Sequence, residues 1–108
     1  MINCVKATDV CAGVSCMDAF YDRKAAFGAY DGEELRMTAF MLCRGCDCDI
    51  ETDEGLQRKI ERLVKSGTEV AHFGRCTKDQ QTGGDCKNII KLMDKLERLG
   101  IKTVRGTH

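Results

Sequence analysis

The sequence lacks the features that mark several large classes of protein. Its 17 Lys and Arg residues balance its 17 Asp and Glu residues, so no basic excess favours nucleic acid or anionic lipid as a partner. No apolar run approaches the roughly 18 residues that a membrane-spanning helix requires. The first residues also lack the pattern of a signal peptide. We therefore expect a cytoplasmic protein that binds neither nucleic acid nor membrane.

The sequence also lacks the local motifs of the common catalytic sites. It contains neither a Gly-x-Gly-x-x-Gly motif nor a Walker-type phosphate loop. Paired carboxylates and a Ser-His-Asp arrangement are not evident either. These absences argue against a nucleotide site and leave open whether the protein is an enzyme.

Cysteine is what the chain has in excess, with 8 cysteines in 108 residues. A chain of this length buries about two-thirds of its unfolded surface and does not need disulfides to fold. Thiols stay reduced in the cytoplasm, where clustered cysteines indicate metal binding or redox chemistry. A secreted, disulfide-stapled domain and a set of buried, inert thiols are the alternatives. The tightest cluster reads Cys43-Arg44-Gly45-Cys46-Asp47-Cys48.

Apolar periodicity predicts that strands and helices alternate along the chain. Strands are predicted at residues 2–5, 35–42, 69–73 and 101–104. Helices are predicted from a Ser15 cap to before Gly28, from Thr52 or Asp53 to Gly67, and from an Asp85 cap to Gly100. This order predicts an α/β fold. We expect one three-layer, flavodoxin-like domain over residues 1–108, with a four-stranded, mainly parallel sheet and about three helices.

The cysteines fall where such a sheet would gather them. Cys4, Cys43 and Cys76 each follow a predicted strand, and ligands bind outside the carboxyl ends of parallel strands. Cys16 and Cys86 follow predicted helix caps, where free N–H groups favour a thiolate. The candidate metal ligands are therefore Cys4, Cys11, Cys16, Cys43, Cys46, Cys48, Cys76, Cys86 and His108.

Several separate pieces of the chain form a recognisable pattern. They are Cys4, Thr8-Asp9-Val10-Cys11-Ala12-Gly13, Cys43-Arg44-Gly45-Cys46, Cys76 with Cys86, and Gly106-Thr107-His108. Together they resemble the CGGC-domain family, a group of small prokaryotic cysteine-rich proteins. Arg44 stands where the family has the first glycine of its central motif, Ala12 stands where proline is expected, and Cys48 is an addition. The resemblance implies a metal site, of the zinc type.

Three functions are compatible with these thiols. The first is a zinc-binding module, because zinc takes four thiolate or imidazole ligands in a tetrahedron. The second is an iron–sulfur protein, since thiolate ligands alone do not distinguish iron from zinc. The third is a thiol-disulfide oxidoreductase that uses Cys43 and Cys46 as its dithiol.

Overall fold

Strands and α-helices alternate along the chain, as the sequence pattern predicts. The structure, a computed structural model, describes residues 1–44, 46–79 and 81–108. In this part of the chain the strands are β1 (Ile2–Asn3), β2 (Met41–Leu42), β3 (Val70–Phe73) and β4 (Lys102–Arg105). The α-helices are α1 (Val14–Tyr21), α2 (Glu54–Lys65) and α3 (Lys87–Arg98). Short 3-10 helices cover Val5–Asp9, Ala25–Tyr30 and Arg75–Thr77.

The strands form one parallel sheet in the order β2-β1-β3-β4. Ile2 of β1 pairs with Met41 of β2 on one side and with Phe73 of β3 on the other. β3 and β4 pair in register from Val70 to Phe73. The predicted α/β fold is confirmed, and the arrangement is consistent with flavodoxin-like layering. All four carboxyl ends therefore lie along one edge of the sheet.

The second strand is much shorter than residues 35–42, so that prediction was wrong in extent. Only Met41 and Leu42 pair with β1, because β1 has just two residues and each of them pairs with one residue of β2. The preceding residues, 34–40, have no regular structure. Half-buried Met37 and Ala39 alternate there with exposed Thr38 and Phe40, which explains why this segment resembles a strand in sequence.

The ends of α1 also differ from the prediction. The helix begins after Gly13, whose φ of 79° lies in the left-handed region, and Ser15 is inside the helix instead of capping it. Arg23 takes a φ of 54°, and Lys24 N–H bonds to the Ala19 carbonyl at 2.9 Å. This left-handed cap ends the helix well before Gly28.

The second helix follows its sequence signals closely. The Asp53 carboxylate accepts a hydrogen bond from Leu56 N–H at 2.8 Å and so caps the N-terminus of α2. Gly67, with a φ of 73°, follows its C-terminus. The apolar spacing of the sequence predicts a stripe of Leu56, Ile60, Leu63 and Val64. The first three are buried, whereas Val64 is 46% exposed.

The N-terminus of α3 corrects the predicted Asp85 cap. Cys86 is the capping residue, and its side chain makes no capping hydrogen bond within the described residues. Asp85 lies outside the helix and pairs instead with the Arg105 guanidinium at the end of β4. Cys86 is therefore before the first turn of α3, not in it.

Two apolar clusters hold the strands in place. The larger joins β1 and β3 to α2 and α3, and Phe73, Leu92 and Leu96 are completely buried in it. The smaller contains Phe20 of α1 and Phe27 of the following 3-10 helix, with ring centroids 5.4 Å apart. Among the helices that the structure describes, none has the length and apolar character of a membrane span.

Candidate metal centre

Cys4 and Cys43 lie side by side where β1 and β2 end. The ladder pairs Ile2 with Met41 and Asn3 with Leu42, so the two cysteines occupy the next position along it. Cys43 N–H donates to the Asn3 carbonyl at 2.8 Å and keeps the chains together there. Burial raises the pKa of the Cys4 thiol, and the neighbouring Cys43 raises it further.

Cys76 approaches Cys4 from the other side. It lies in the 3-10 helix that follows β3, and its Sγ accepts a hydrogen bond from Cys4 N–H at 3.2 Å. Burial raises the pKa of the Cys76 thiol, with smaller contributions from Cys16 and Cys11. Three neighbouring strands therefore each end at a half-buried thiol. The raised pKa values of Cys4 and Cys76 favour their protonated form at neutral pH.

An open pocket of about 210 Å³ lies beside these thiols, between the ends of β1 and β3. The connection from β1 leads to β2 on one side, and the connection from β3 leads to β4 on the other side. Open α/β sheets bind their ligands at such a point, where the direction of the connections reverses. Cys4, Cys76 and Cys11 line the pocket together with Thr8 and the carboxamide residue Asn3. Cys11 is exposed, so it is the most accessible thiol of the three.

Cys16 belongs to a buried hydrogen-bonded group behind the pocket. Only 2% of its surface is exposed. Its Sγ lies 3.2 Å from Thr107 Oγ1 and 3.5 Å from His108 Nδ1, and Asn3 Nδ2 donates to it at 3.7 Å. As predicted, Cys16 is in the first turn of α1, although Gly13 begins that helix. His108 is brought to this thiol by the chain that follows β4.

Asn3 is a residue of this region that the sequence pattern did not single out. It is 5% exposed, and its Oδ1 has no hydrogen-bond partner within the described part of the chain. The carboxamide packs on Gly74, where an added Cβ would overlap Oδ1 and lie 2.9 Å from Asn3 Cγ and 3.2 Å from Cys76 Sγ. A buried amide before Cys4, in an otherwise apolar strand, is the signal that could have identified it.

Cys46 and Cys48, the remaining cysteines of the central motif, are not among the described residues that line the pocket. Cys48 is half-buried against the larger apolar cluster, and burial raises its pKa, with the Asp53 carboxylate adding to the effect. Cys46 is exposed, and a hydrogen bond with it raises the pKa of the Lys6 ammonium group. Gly45, between Cys43 and Cys46, lies outside the described residues.

Cys86 lies at the start of α3 and packs against the same apolar cluster as Cys43 and Cys48. Asn88 fastens this helix to the central motif, because its Nδ2 donates to the Cys46 carbonyl at 3.0 Å. This hydrogen bond places the N-terminus of α3, and with it Cys86, near the central motif.

The donors match a soft divalent ion in chemistry, but they do not form a closed set. All eight cysteines are free thiols. Within residues 1–44, 46–79 and 81–108, no group of three or more His, Cys, Asp or Glu side chains is arranged to hold a metal ion. Coordination therefore requires thiol side chains to rotate toward one another and to lose their protons.

Comparison with known families identifies the chain. The sequence model of the CGGC domain matches residues 1–108, the whole chain. Comparisons with curated proteins and with solved structures found no match. The chain belongs to the CGGC domain family, and this family together with the eight cysteines fits a metal-binding role.

Proposed function

We propose that this member of the CGGC domain family binds zinc through thiolates at the carboxyl edge of its sheet. The observation that carries the proposal is the position of Cys4. Cys4 occupies the ladder position next to Cys43, and its backbone N–H donates to Cys76 Sγ at 3.2 Å. This proximity of cysteines that are far apart in sequence supports the proposal, because a zinc site takes several soft ligands.

We assign the ligand set to Cys4, Cys43, Cys76 and Cys11. The first three follow adjacent strands, and Cys11 faces Cys4 and Cys76 across the shared pocket. The other candidates have different surroundings. Cys16 and His108 contact each other, and Cys46 raises the pKa of Lys6. Cys48 and Cys86 pack against the same apolar cluster as Cys43 but, unlike Cys43, do not follow a strand of the sheet.

The proposed ion is exchangeable and does not hold the fold together. Phe73, Leu92 and Leu96 form a core that does not involve the thiols of the pocket. Zinc binding must also displace protons from Cys4 and Cys76, whose raised pKa values oppose ionisation. A site of this kind suits storage, transfer or sensing of the ion better than structural stabilisation.

The cytoplasm is the proposed location of the protein. Eight free thiols in a chain of 108 residues would be lost to disulfide formation in an oxidising compartment. A reducing compartment keeps them available for metal.

The test is zinc binding by protein purified anaerobically without chelator. We expect about one zinc per chain by elemental analysis, and competition with a chromogenic chelator then gives the affinity. Replacing Cys4 or Cys76 by serine is expected to weaken binding by more than the roughly 10- to 100-fold that removing a hydrogen-bond partner of a metal ligand costs. Cys86→Ser is the matched control and should bind like the wild type.

Three results would contradict the proposal. The first is metal-free wild-type protein that takes up no zinc, and the second is a Cys4→Ser variant that binds zinc as tightly as Cys86→Ser does. The third is brown protein that contains iron and sulfide and absorbs near about 400 nm, which would instead establish the iron–sulfur alternative.

A further inference from the structure

We propose that Cys4 and Cys43 form a disulfide bond when the reduced protein meets hydrogen peroxide. This pair differs from the dithiol that the Cys-x-x-Cys spacing of Cys43 and Cys46 indicates. It joins two strands whose residues are far apart in sequence. The inference goes beyond zinc binding, and it identifies a covalent modification of the same edge of the sheet.

Strand register carries the inference. Neighbouring strands lie about 4.8 Å apart, and disulfides join residues whose Cα atoms are about 4.4–6.8 Å apart. Asn3 pairs with Leu42, and the next position along both chains is occupied by Cys4 and Cys43. The hydrogen bond from Cys43 N–H to the Asn3 carbonyl, 2.8 Å long, shows that the backbone segments are still paired at this position.

The ladder also predicts the direction of the side chains. Residues opposite each other in a parallel ladder project to the same face, and Cys4 and Cys43 occupy opposite positions just beyond the paired residues. Cys46 has different surroundings, because it is exposed and lies close enough to the Lys6 ammonium group to raise the pKa of that group. The competing partner of Cys4 is Cys76, but the contact there is from the Cys4 backbone to Cys76 Sγ.

The reaction balances with peroxide as the oxidant. One thiol is oxidised by peroxide to a sulfenic acid and releases one water. The second thiol attacks that sulfur, forms the S–S bond and releases a second water. Two thiols lose two hydrogen atoms in total, and one peroxide is reduced to two waters.

The consequence for the metal rests on the proposed function. Cys4 and Cys43 are two of the four proposed ligands, and a disulfide sulfur no longer ligates zinc as a thiolate does. Oxidation would therefore release the ion, so that peroxide controls how much zinc the protein holds.

The test uses reduced, metal-free, full-length protein and one equivalent of hydrogen peroxide, followed by alkylation of the remaining thiols. Trypsin separates the relevant cysteines, because it cleaves after Lys6, Arg36 and Arg44. We expect peptide 1–6 joined to peptide 37–44, with the loss of two hydrogen atoms and alkylation of every other cysteine. Linkage of 37–44 to 45–58, linkage of 1–6 to 76–78, or Cys43 alkylated after oxidation would overturn the proposal.

Matched variants complete the test. Cys4→Ser should leave peptide 37–44 unlinked, whereas Cys46→Ser and Cys86→Ser should give the same link as the wild type. Loss of the link in Cys46→Ser would show that the motif dithiol is the reacting pair. Mapping is done without metal, so failure to bind zinc contradicts the proposed function and leaves this result intact. Zinc release from loaded protein is measured separately with a chromogenic chelator.

Discussion

Replacing Gly74 by alanine tests the packing on which the thiol cluster depends. The backbone of Gly74 adopts φ −60° and ψ 153°, which alanine accepts, so any penalty must come from contacts of the new methyl group. That group would overlap Asn3 Oδ1 and lie 2.9 Å from Asn3 Cγ and 3.2 Å from Cys76 Sγ. Heavy atoms in van der Waals contact are about 3.5 Å apart, so the carboxamide must move by roughly 1 Å.

The surroundings set the size of the effect. Asn3 is 5% exposed and its Nδ2 contacts buried Cys16, so the carboxamide cannot turn out toward water. Forcing a methyl group into such packing costs about 1–3 kcal/mol. We expect Gly74→Ala to lower the free energy of unfolding by about 2 kcal/mol, and Tm by about 10 °C for a domain of this size.

Urea and thermal unfolding of metal-free protein measure this loss, with Gly84→Ala as the control. Among the described residues, a Cβ on Gly84 would meet Thr82 Oγ1 alone, at 3.5 Å, and should change little. In an Asn3→Ala background the penalty of Gly74→Ala should fall to a few tenths of a kcal/mol, since the obstructing carboxamide is gone. A Gly74→Ala protein as stable as the wild type, or a penalty that persists without Asn3, would refute the reasoning.

Three further predictions concern protonation, access and packing. Because burial raises the pKa of the Cys4 and Cys76 thiols, apparent zinc affinity should rise with pH by up to about tenfold per unit for each proton released. Binding that does not change with pH in chelator competition would contradict this. A thiol-specific reagent should modify exposed Cys46 early and Cys16, which is 2% exposed, only on unfolding, as peptide mapping at timed intervals can verify. Leu92→Ala should cost about 2–5 kcal/mol in urea unfolding, whereas Leu99→Ala, at a half-exposed position, should cost far less.

Local signals were sufficient for the long helices and for the class of fold. α2 has a capping aspartate, a stripe at helical spacing and a following glycine, and each of these acts within a few residues. Alternation of strands and helices then leaves a parallel sheet as the main solution. The pattern therefore predicts which strand ends share an edge.

The pairing of particular thiols depends on contacts that sequence spacing does not contain. Cys43 and Cys46 are close in sequence, yet the register of β1 against β2 places Cys43 beside Cys4. The length of β2 likewise depends on its partner, which is only two residues long. Asn3 matters because Gly74, which follows a different strand, leaves room for its carboxamide. Contacts of this kind form only when strands that are distant in sequence pack side by side, so sequence spacing does not predict them.

X-ray absorption of the zinc-loaded protein tests most directly whether thiols from separate strands share one ion. We expect a shell of three or four sulfur atoms at about 2.3 Å, and in Cys4→Ser and Cys76→Ser a loss of sulfur or of the zinc itself. A shell made only of oxygen or nitrogen atoms, or a sulfur shell unchanged in both variants, would contradict the account.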